Sequence, residues 1–160
     1  MHERARATLL ELRQADWFTR VGIVDTRDHV VLSSWREAVD SCSSTAWSNL
    51  LLEASNRYRE QLAARSKERF QNWNQLVREL KKLTVPLVRE KVGPVSDKYN
   101  LPVEFENTVL WAVLGVCMEA EYADVYPPGF YASMAYWYVN GHFPCGWSDG
   151  EFPEGRLVIY

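Results

Sequence analysis

Long apolar runs are missing from this sequence of 160 residues. The longest, Val109 to Met118, has ten residues, whereas a membrane-spanning helix needs about 20. The N-terminal segment mixes both charges from Glu3 onwards and lacks the apolar core of a secretory signal peptide. We therefore expect a cytoplasmic protein that does not associate with membranes.

Cysteine and glycine are scarce as well. The three cysteines, Cys42, Cys117 and Cys145, are an odd number without regular spacing, which favours free thiols in a reducing compartment over a disulfide framework. The eight glycines lie mostly at turns and leave little for a phosphate-binding loop. No P-loop, dinucleotide fingerprint, nucleophile elbow or HExxH motif occurs. We expect no cofactor and no bound metal.

Basic residues are almost absent from the C-terminal part of the chain. Residues 99–160 contain eight Asp and Glu but only one basic residue, Arg156. Residues 1–98 contain 17 Lys and Arg against 13 Asp and Glu. The overall net charge of −3 hides this asymmetry. A strongly acidic region of this kind is typical of a surface that meets a positively charged partner.

Apolar residues recur at spacings of three and four, which predicts a mainly α single domain over residues 1–160. We expect a first helix from Glu3 to about Arg20. A capping box at Ser34–Glu37 predicts a short helix to about Cys42. The next apolar stripe predicts one long helix, or two stacked helices, from about 45 to 83.

Proline and glycine divide the second half of the chain. Pro86 predicts a new helix start, and Gly93-Pro94 predicts the end of that helix. Another helix is expected from about Pro102 to Asp124, with acids in its first turn. Phe130 to Asn140 should form the last helix, capped by Gly141.

Short β-branched runs predict a small sheet. Residues 21–25 and 29–32 flank a polar trio, which indicates an N-terminal hairpin. Arg156–Tyr160 is expected to be a C-terminal strand that pairs with it, and residues 142–155 are expected to form a loop. The aromatic segment from Tyr126 to Trp147 should be the centre against which the chain packs.

The candidate functional surface follows from the charge asymmetry. Glu121 and Asp124 share one helix face, whereas Glu119 lies about 200° from Glu121 and cannot share a site with it. A solvated helix face is the alternative explanation for these acids. Exposed aromatic residues beside acids would make suitable anchors for a protein partner. The acidic surface predicted here consists of Glu119, Glu121, Asp124, Trp147, Asp149, Glu151 and Glu154.

An enzyme of unrecognised type is a second hypothesis. His142 and Cys145 are three positions apart and could form a nucleophile pair, and Glu121 with Asp124 could supply acid–base catalysis. A zinc site would need further ligands from His29, Cys42 or Cys117, which are scattered through the chain. The alternative is a loop that packs on the aromatic core.

Nucleic-acid binding is a third hypothesis. Residues 57–98 carry eleven Lys and Arg against five acids, as a phosphate-binding surface would. The acids are interleaved with the bases, however, which is typical of ion pairs on a helix surface. The acidic C-terminal part would also repel phosphate.

Several C-terminal strings carry a resemblance: EAEYAD at 119–124, PPGFY at 127–131, YWYVNGHFPCGW at 136–147 and PEGRLVIY at 153–160. Together with DWFTR at 16–20, they resemble a group of small uncharacterised bacterial cytosolic proteins. That resemblance implies no activity and no site residues. In size, acidity and lack of motifs the chain is also similar to immunity proteins of bacterial toxin systems. We therefore predict a protein-interaction module that neutralises a basic partner, such as a toxin, through the acidic surface.

Overall fold

The computed structural model describes residues 2–23, 28–42, 45–125, 127, 129–150 and 155–160, without the side chains of 45–48. Within these ranges the chain is mainly helical with one small sheet, as predicted. The elements in chain order are α1 (Glu3–Gln14), β1 (His29–Val31), α2 (Trp35–Cys42), α3 (Thr45–Arg65), α4 (Lys67–Tyr99), α5 (Val103–Glu121), α6 (Phe130–Val139), β2 (Pro144–Ser148) and β3 (Arg156–Ile159).

The first helix ends at Gln14, earlier than the sequence pattern predicts. The indole N–H of Trp17 donates to the Leu12 carbonyl at 2.8 Å, and Phe18 and Arg20 adopt left-handed backbone conformations. Trp17 then stacks on Tyr138 with ring centroids 5.0 Å apart. The aromatic residues that extend the apparent stripe therefore leave the helix and enter the core.

Local capping signals place two of the helix starts. The Glu37 N–H donates to the Ser34 hydroxyl at 3.3 Å, and the Glu37 carboxylate accepts from the N–H and the hydroxyl of Ser33. The Ser66 hydroxyl likewise accepts from the Arg69 N–H at 3.3 Å. Because Ser66 caps a new helix, the long stripe forms two helices, α3 and α4, rather than one.

Helix α4 runs without interruption through Pro86 and Pro94, so the predicted breaks at these prolines are wrong. Each proline lacks an N–H, which deprives the carbonyls of Lys82 and Glu90 of their intrahelical donors. Packing of the inner face of α4 against α5 offsets that loss. The buried residues on this face are Trp73, Leu76, Leu80, Thr84, Leu87, Val88 and Val92.

The sheet has the order β1-β3-β2. Strand β1 is parallel to β3, with His29 opposite Leu157, and β2 is antiparallel to β3, with Trp147 also opposite Leu157. Strand β2 lies in the segment that we expected to be a loop. Of the expected hairpin, residues 21–23 form no strand and 24–27 lie outside the described ranges. The predicted pairing of the C-terminal strand with the run at 29–32 is confirmed, although the two strands are distant in sequence.

The aromatic segment lies at the centre of the core, as predicted. Phe143 is fully buried, with its ring centroid 4.4 Å from that of Phe105. Trp35 covers the same cluster and lies 4.3 Å from the Tyr160 ring. Helix α5 runs beneath these rings and contacts α1, α4 and α6, so its C-terminal end brings the candidate acids close to three other helices.

Candidate functional site

Glu119 lies inside the protein. Its side chain is 1% exposed, and its carboxylate accepts a hydrogen bond from the Ala132 N–H in the first turn of α6 at 2.6 Å. Burial raises the pKa of Glu119, and hydrogen bonds from the Tyr58 hydroxyl and from backbone N–H groups oppose that rise. Helix α6 has no side-chain cap of its own. Glu119 therefore caps α6 and is removed from the predicted acidic surface.

Glu121 has a similar role on the opposite face of α5. Its carboxylate accepts from the Ala5 N–H in the first turn of α1 at 3.1 Å. The ring of His2 lies nearby, with Nδ1 3.7 Å from the other carboxylate oxygen. Helix α1 also lacks a side-chain cap of its own. The two acids at the end of α5 thus accept hydrogen bonds from backbone N–H groups at the N-termini of two different helices. The helix dipole favours a carboxylate at such a position.

Asp124 is neutralised by arginine. Both of its carboxylate oxygens accept from the Arg69 guanidinium, at 2.6 and 2.8 Å, and Arg4 lies 3.6 Å away. The hydrogen bond from Arg69 lowers the pKa of Asp124 to about 2. The Arg69 guanidinium also lies over the Tyr122 ring, 5.1 Å from its centroid. This carboxylate is therefore already matched by cations of the same chain.

The other predicted partner-binding residues are in the C-terminal segment. Trp147 is half-buried, with its ring 5.9 Å from that of Phe130. Asp149 is exposed but lies 3.7 Å from Arg156. Glu151 and Glu154 lie outside the described residues. The predicted acids that the structure describes therefore do not form a continuous acidic patch free of cations.

His142 and Cys145 are both buried, and their hydrogen bonds lead away from each other. His142 Nε2 contacts the Val21 carbonyl at 2.7 Å, and the Cys145 thiol donates to the Phe143 carbonyl at 3.3 Å. The neighbouring Cys42 thiol donates to the Cys145 carbonyl. Within the described ranges, no three His, Cys, Asp or Glu side chains are grouped so that they could hold a metal. Cys145 belongs to strand β2, His142 lies just before it, and both side chains are packed in the core.

The basic stretch 57–98 is largely engaged within the chain. Six of its side chains contact carboxylates, a backbone carbonyl or aromatic rings, and all of these contacts except Arg57 to Glu53 join different elements. These contacts are Arg57 to Glu53, Arg59 to Phe70, Arg69 to Asp124, Lys81 to Trp111, Arg89 to Glu106 and Lys91 to the Ala15 carbonyl. The positive charge on this stretch therefore serves to attach α4 to its neighbours.

A groove between α1 and α4 has different properties. It has a volume of about 530 Å³, with Leu9 and Leu87 buried in its floor. Leu10 and Leu83 line it as well, although they are 57% and 52% exposed. Around these leucines stand Arg6, Arg13, Lys82, Pro86 and Glu90. Lys91 of α4 joins the two helices by donating a hydrogen bond to the carbonyl of Ala15, just after α1, at 2.6 Å.

Sequence reasoning missed this groove. Its walls come from segments more than one helix apart, so no local motif contains both. One signal was present, because Leu10 follows Leu9 and so points away from the buried stripe of α1. Leu83 similarly lies outside the buried face of α4. A leucine outside the buried face of each helix indicates a second apolar surface, separate from the one that packs in the core.

The chain matches no protein-family model, no curated protein and no solved structure. The helices within the described ranges include none with the length and apolar character needed to cross a bilayer. Evidence on function therefore comes from the contacts of the residues themselves.

Proposed function

We propose that this protein is an interaction module that binds an amphipathic helix of a partner protein in the α1–α4 groove, and that this helix carries acidic residues beside its apolar face. One observation carries the proposal. Arg6, Arg13 and Lys82 surround exposed leucines, and none of the three forms an ion pair or hydrogen bond with a residue that the structure describes.

The apolar part of the groove supplies a reason for binding. Leu10 and Leu83 each leave more than half of their surface in water. Covering a leucine side chain completely is worth about 1.5–3 kcal/mol, so a partner that covers both gains a substantial part of its affinity there. Leu9 and Leu87 form a fixed floor because they also pack in the core. The groove therefore does not need to rearrange to accept apolar side chains.

The distribution of charge favours a helix over a ligand with a single anionic head. Arg6 and Arg13 are seven positions apart on α1 and so are separated by about 10 Å along the helix axis. Lys82 lies on the other wall, and Glu90 is the one acid among the lining residues that the structure describes. A ligand with one anionic group would have to draw together long side chains from both walls and from successive turns of α1. A helix with leucines at i, i+4 and i+7 and acids flanking them can meet the three cations separately.

This proposal keeps the class of protein predicted from the sequence but changes the partner and the surface. A basic partner such as a toxin would need free carboxylates on the C-terminal part. Glu119 and Glu121 instead cap helices, and Asp124 is bound to Arg69. Three of the cations that form no ion pair with a described residue, Arg6, Arg13 and Lys82, lie together around the α1–α4 groove. An acidic partner helix therefore fits the available charge better.

A direct test uses designed helical peptides and fluorescence anisotropy. The first peptide has leucines at i, i+4 and i+7 with glutamates beside them. In the second, lysines replace the glutamates, and in the third, serines replace the leucines. We expect micromolar binding of the first peptide only. Reversing the groove cations (Arg6→Glu, Arg13→Glu and Lys82→Glu) should weaken binding by about tenfold or more.

A matched variant controls for net charge. Arg36, Arg65 and Lys67 are exposed cations outside the groove, and their replacement by glutamate should leave the affinity within about twofold. Equal losses in both triple variants would mean that only overall charge matters, and the proposal would be wrong. Tight binding of dodecanoate in the groove, without peptide binding, would identify a lipid site instead and also overturn it.

A further inference from the structure

The α1–α4 groove has a direction, because its two walls are helices that run the same way. Near the start of both helices, Arg4 of α1 and Arg69 of α4 contact the same carboxylate, that of Asp124, at 3.6 and 2.6 Å. Towards the other end, the Lys91 ammonium of α4 donates to the carbonyl of Ala15, just after α1. Both helices therefore begin near Asp124 and run towards the Lys91–Ala15 contact.

Helix α5 fixes this direction independently, because it packs against both helices. The Ala5 N–H in the first turn of α1 donates to Glu121, the last residue of α5. At the opposite end of α5, Glu106 in its first turn lies 3.6 Å from Arg89, which is two positions before Lys91. Helix α5 thus runs opposite to α1 and to α4, and the two walls of the groove are parallel to each other.

The charges that line the groove differ between its two ends. Arg13 and Glu90 lie at the end beside the Lys91 contact, one on each wall. Arg6 is about 10 Å from Arg13 along α1, and Lys82 is about 12 Å from Glu90 along α4, so these two cations lie together at the end towards Asp124. Among the described lining residues, one end therefore has two cations, whereas the other has a cation and an acid that offset each other.

A bound helix also has two different ends. Its N-terminus carries about half a positive elementary charge and its C-terminus about half a negative one. The C-terminus is therefore favoured beside Arg6 and Lys82, and carboxylates in the last turn of the bound helix would pair with these cations. The opposite direction would bring the positive N-terminus against the same two cations. The unequal ends of the groove thus distinguish the two directions of a bound helix.

We infer that the α1–α4 groove selects the direction of its partner helix, which lies antiparallel to α1 and α4. The partner's acids are concentrated in its last turn, against Arg6 and Lys82, and its first turn lies beside Arg13 and Glu90. This inference rests on the peptide binding proposed above. It adds the order of residues in the partner, in which the acids follow the last groove-binding leucine.

The test uses two helical peptides of identical composition with acetylated and amidated ends. Both have leucines at i, i+4 and i+7. The first has three glutamines before the leucines and three glutamates after them, and in the second these two triplets are exchanged. Fluorescence anisotropy gives the ratio of the two dissociation constants for the whole protein.

A charge-exchanged protein removes the effect of the peptides' own helicity, which differs because acids at a C-terminus weaken a free helix. Lys82→Glu combined with Glu90→Lys keeps the net charge but moves one cation to the other end of the groove. Both residues are exposed, so the fold should be kept. We expect the ratio of dissociation constants to shift by about tenfold in favour of the second peptide.

A matched exchange outside the groove is the control. Glu60 and Arg65 are exposed residues of α3 that do not line the groove. Glu60→Lys combined with Arg65→Glu should leave the ratio within about twofold of the wild-type value.

A nitroxide label on the peptide reports the direction itself. Placed after the last residue of the first peptide, it should broaden the amide NMR signals of Arg6 and Lys82 more than those of Arg13 and Glu90. Placed before the first residue, it should do the reverse.

The possible failures are distinguishable. If peptides bind but the ratio is unchanged by the Lys82 and Glu90 exchange, or if the C-terminal label broadens Glu90 more than Lys82, the inferred direction is wrong and the groove is still a peptide site. If the first peptide does not bind, the inferred direction is also wrong. If no leucine-containing acidic peptide binds, the proposed function is wrong as well.

Discussion

The carboxylate of Glu119 accepts a hydrogen bond from the backbone N–H of Ala132, 2.6 Å away, and so an acid near the end of one helix caps the start of another. The Phe130 N–H in the same turn donates to the Tyr58 hydroxyl at 3.3 Å. Burial raises the pKa of Glu119 above its ordinary value of 4.5. The folded protein therefore favours the protonated form of this residue more than the unfolded chain does.

The first prediction concerns the pH dependence of this cap. A raised folded pKa contributes stability that is fully present below about pH 4.5 and is lost as the pH rises through the folded pKa. Glu119→Gln keeps an oxygen that can accept from Ala132 but does not ionise. We expect the stability of Glu119→Gln relative to wild type to increase as the pH rises above 4.5, in urea unfolding at several pH values.

Glu119→Ala is the matched comparison. It leaves the N–H groups at the start of α6 and the Tyr58 hydroxyl without their acceptor, and should cost about 1–3 kcal/mol near pH 7. If the glutamine and alanine variants had the same stability at every pH, Glu119 would have no role as an acceptor and this account of the cap would be wrong.

The second prediction concerns the pair Arg69 and Asp124. The hydrogen bond from Arg69 holds the pKa of Asp124 at about 2. A depressed pKa contributes stability that is present above the unfolded value of 3.8 and is lost as the pH falls through about 2. In Arg69→Ala, the Asp124 pKa measured by NMR should return towards 3.8, with a corresponding loss of this pH dependence.

Arg4→Ala is the control for this pair. Arg4 is more distant from Asp124, at 3.6 Å, and its side chain is largely exposed. Its removal should therefore change the Asp124 pKa much less than the removal of Arg69. Equal shifts in the two variants would indicate that general positive charge, and not the bidentate contact, sets the pKa.

The third prediction concerns Gly115 in α5. Replacing a helix-interior glycine with alanine usually stabilises a protein, by about 0.5–1 kcal/mol. A Cβ at Gly115 would overlap the Tyr131 ring, which is buried and fixed by its bond to Leu51. We expect Gly115→Ala to destabilise the protein by about 1–3 kcal/mol in thermal or urea unfolding.

Gly93 in α4 provides the comparison, because no atom lies within 4 Å of a Cβ built there. The residue before a proline is restricted, and Pro94 follows, so we expect Gly93→Ala to change the stability by less than about 1 kcal/mol in either direction. A stabilising effect at Gly115 would contradict the close packing of Tyr131 on α5.

The fourth prediction concerns the thiols and bears on the enzyme hypothesis. Cys42, Cys117 and Cys145 are all buried. Burial raises the pKa of Cys117 to about 12, and burial together with the neighbouring Cys145 raises that of Cys42 well above its usual range. Iodoacetamide should label the native protein at least about a hundredfold more slowly than the urea-unfolded chain. Rapid labelling of native Cys145 would support a catalytic thiol after all.

The sequence predicted the elements whose signals are local. The capping box at Ser34 and Glu37, the last helix with Gly141 after it, and the aromatic packing centre are all present. The prolines at 86 and 94 were wrongly predicted to interrupt the helix. The free energy lost at a proline inside a helix is smaller than the free energy gained by packing the buried face of α4. Strand β2 was missed because the Pro, Gly, Ser and Asp content of residues 142–155 is typical of a loop, whereas the pairing of the C-terminal strand with the run at 29–32 was predicted.

The candidate site was harder to predict. Charge counts identified an acidic C-terminal part, but the groups that match its carboxylates, a guanidinium and a backbone N–H, come from distant parts of the chain. Asp124 meets Arg69 from 55 positions away, and Glu121 meets Ala5 from 116 positions away. The sequence shows how many charges there are but not which of them are paired. Which charges remain unpaired, and so available to a partner, can be seen only in the folded structure.

The position of β3 in the sheet has a consequence for how the protein is made. Both β1 and β2 pair with β3, and Arg156 on β3 donates to the His29 carbonyl, 127 positions away. Until the ribosome has added residues 156–159, neither β1 nor β2 has its partner, so His29–Val31 remains unpaired while more than a hundred further residues are synthesised. The sheet can therefore form only after all the helices have been synthesised, and a chain that stops before residue 156 would contain the helices without the central strand.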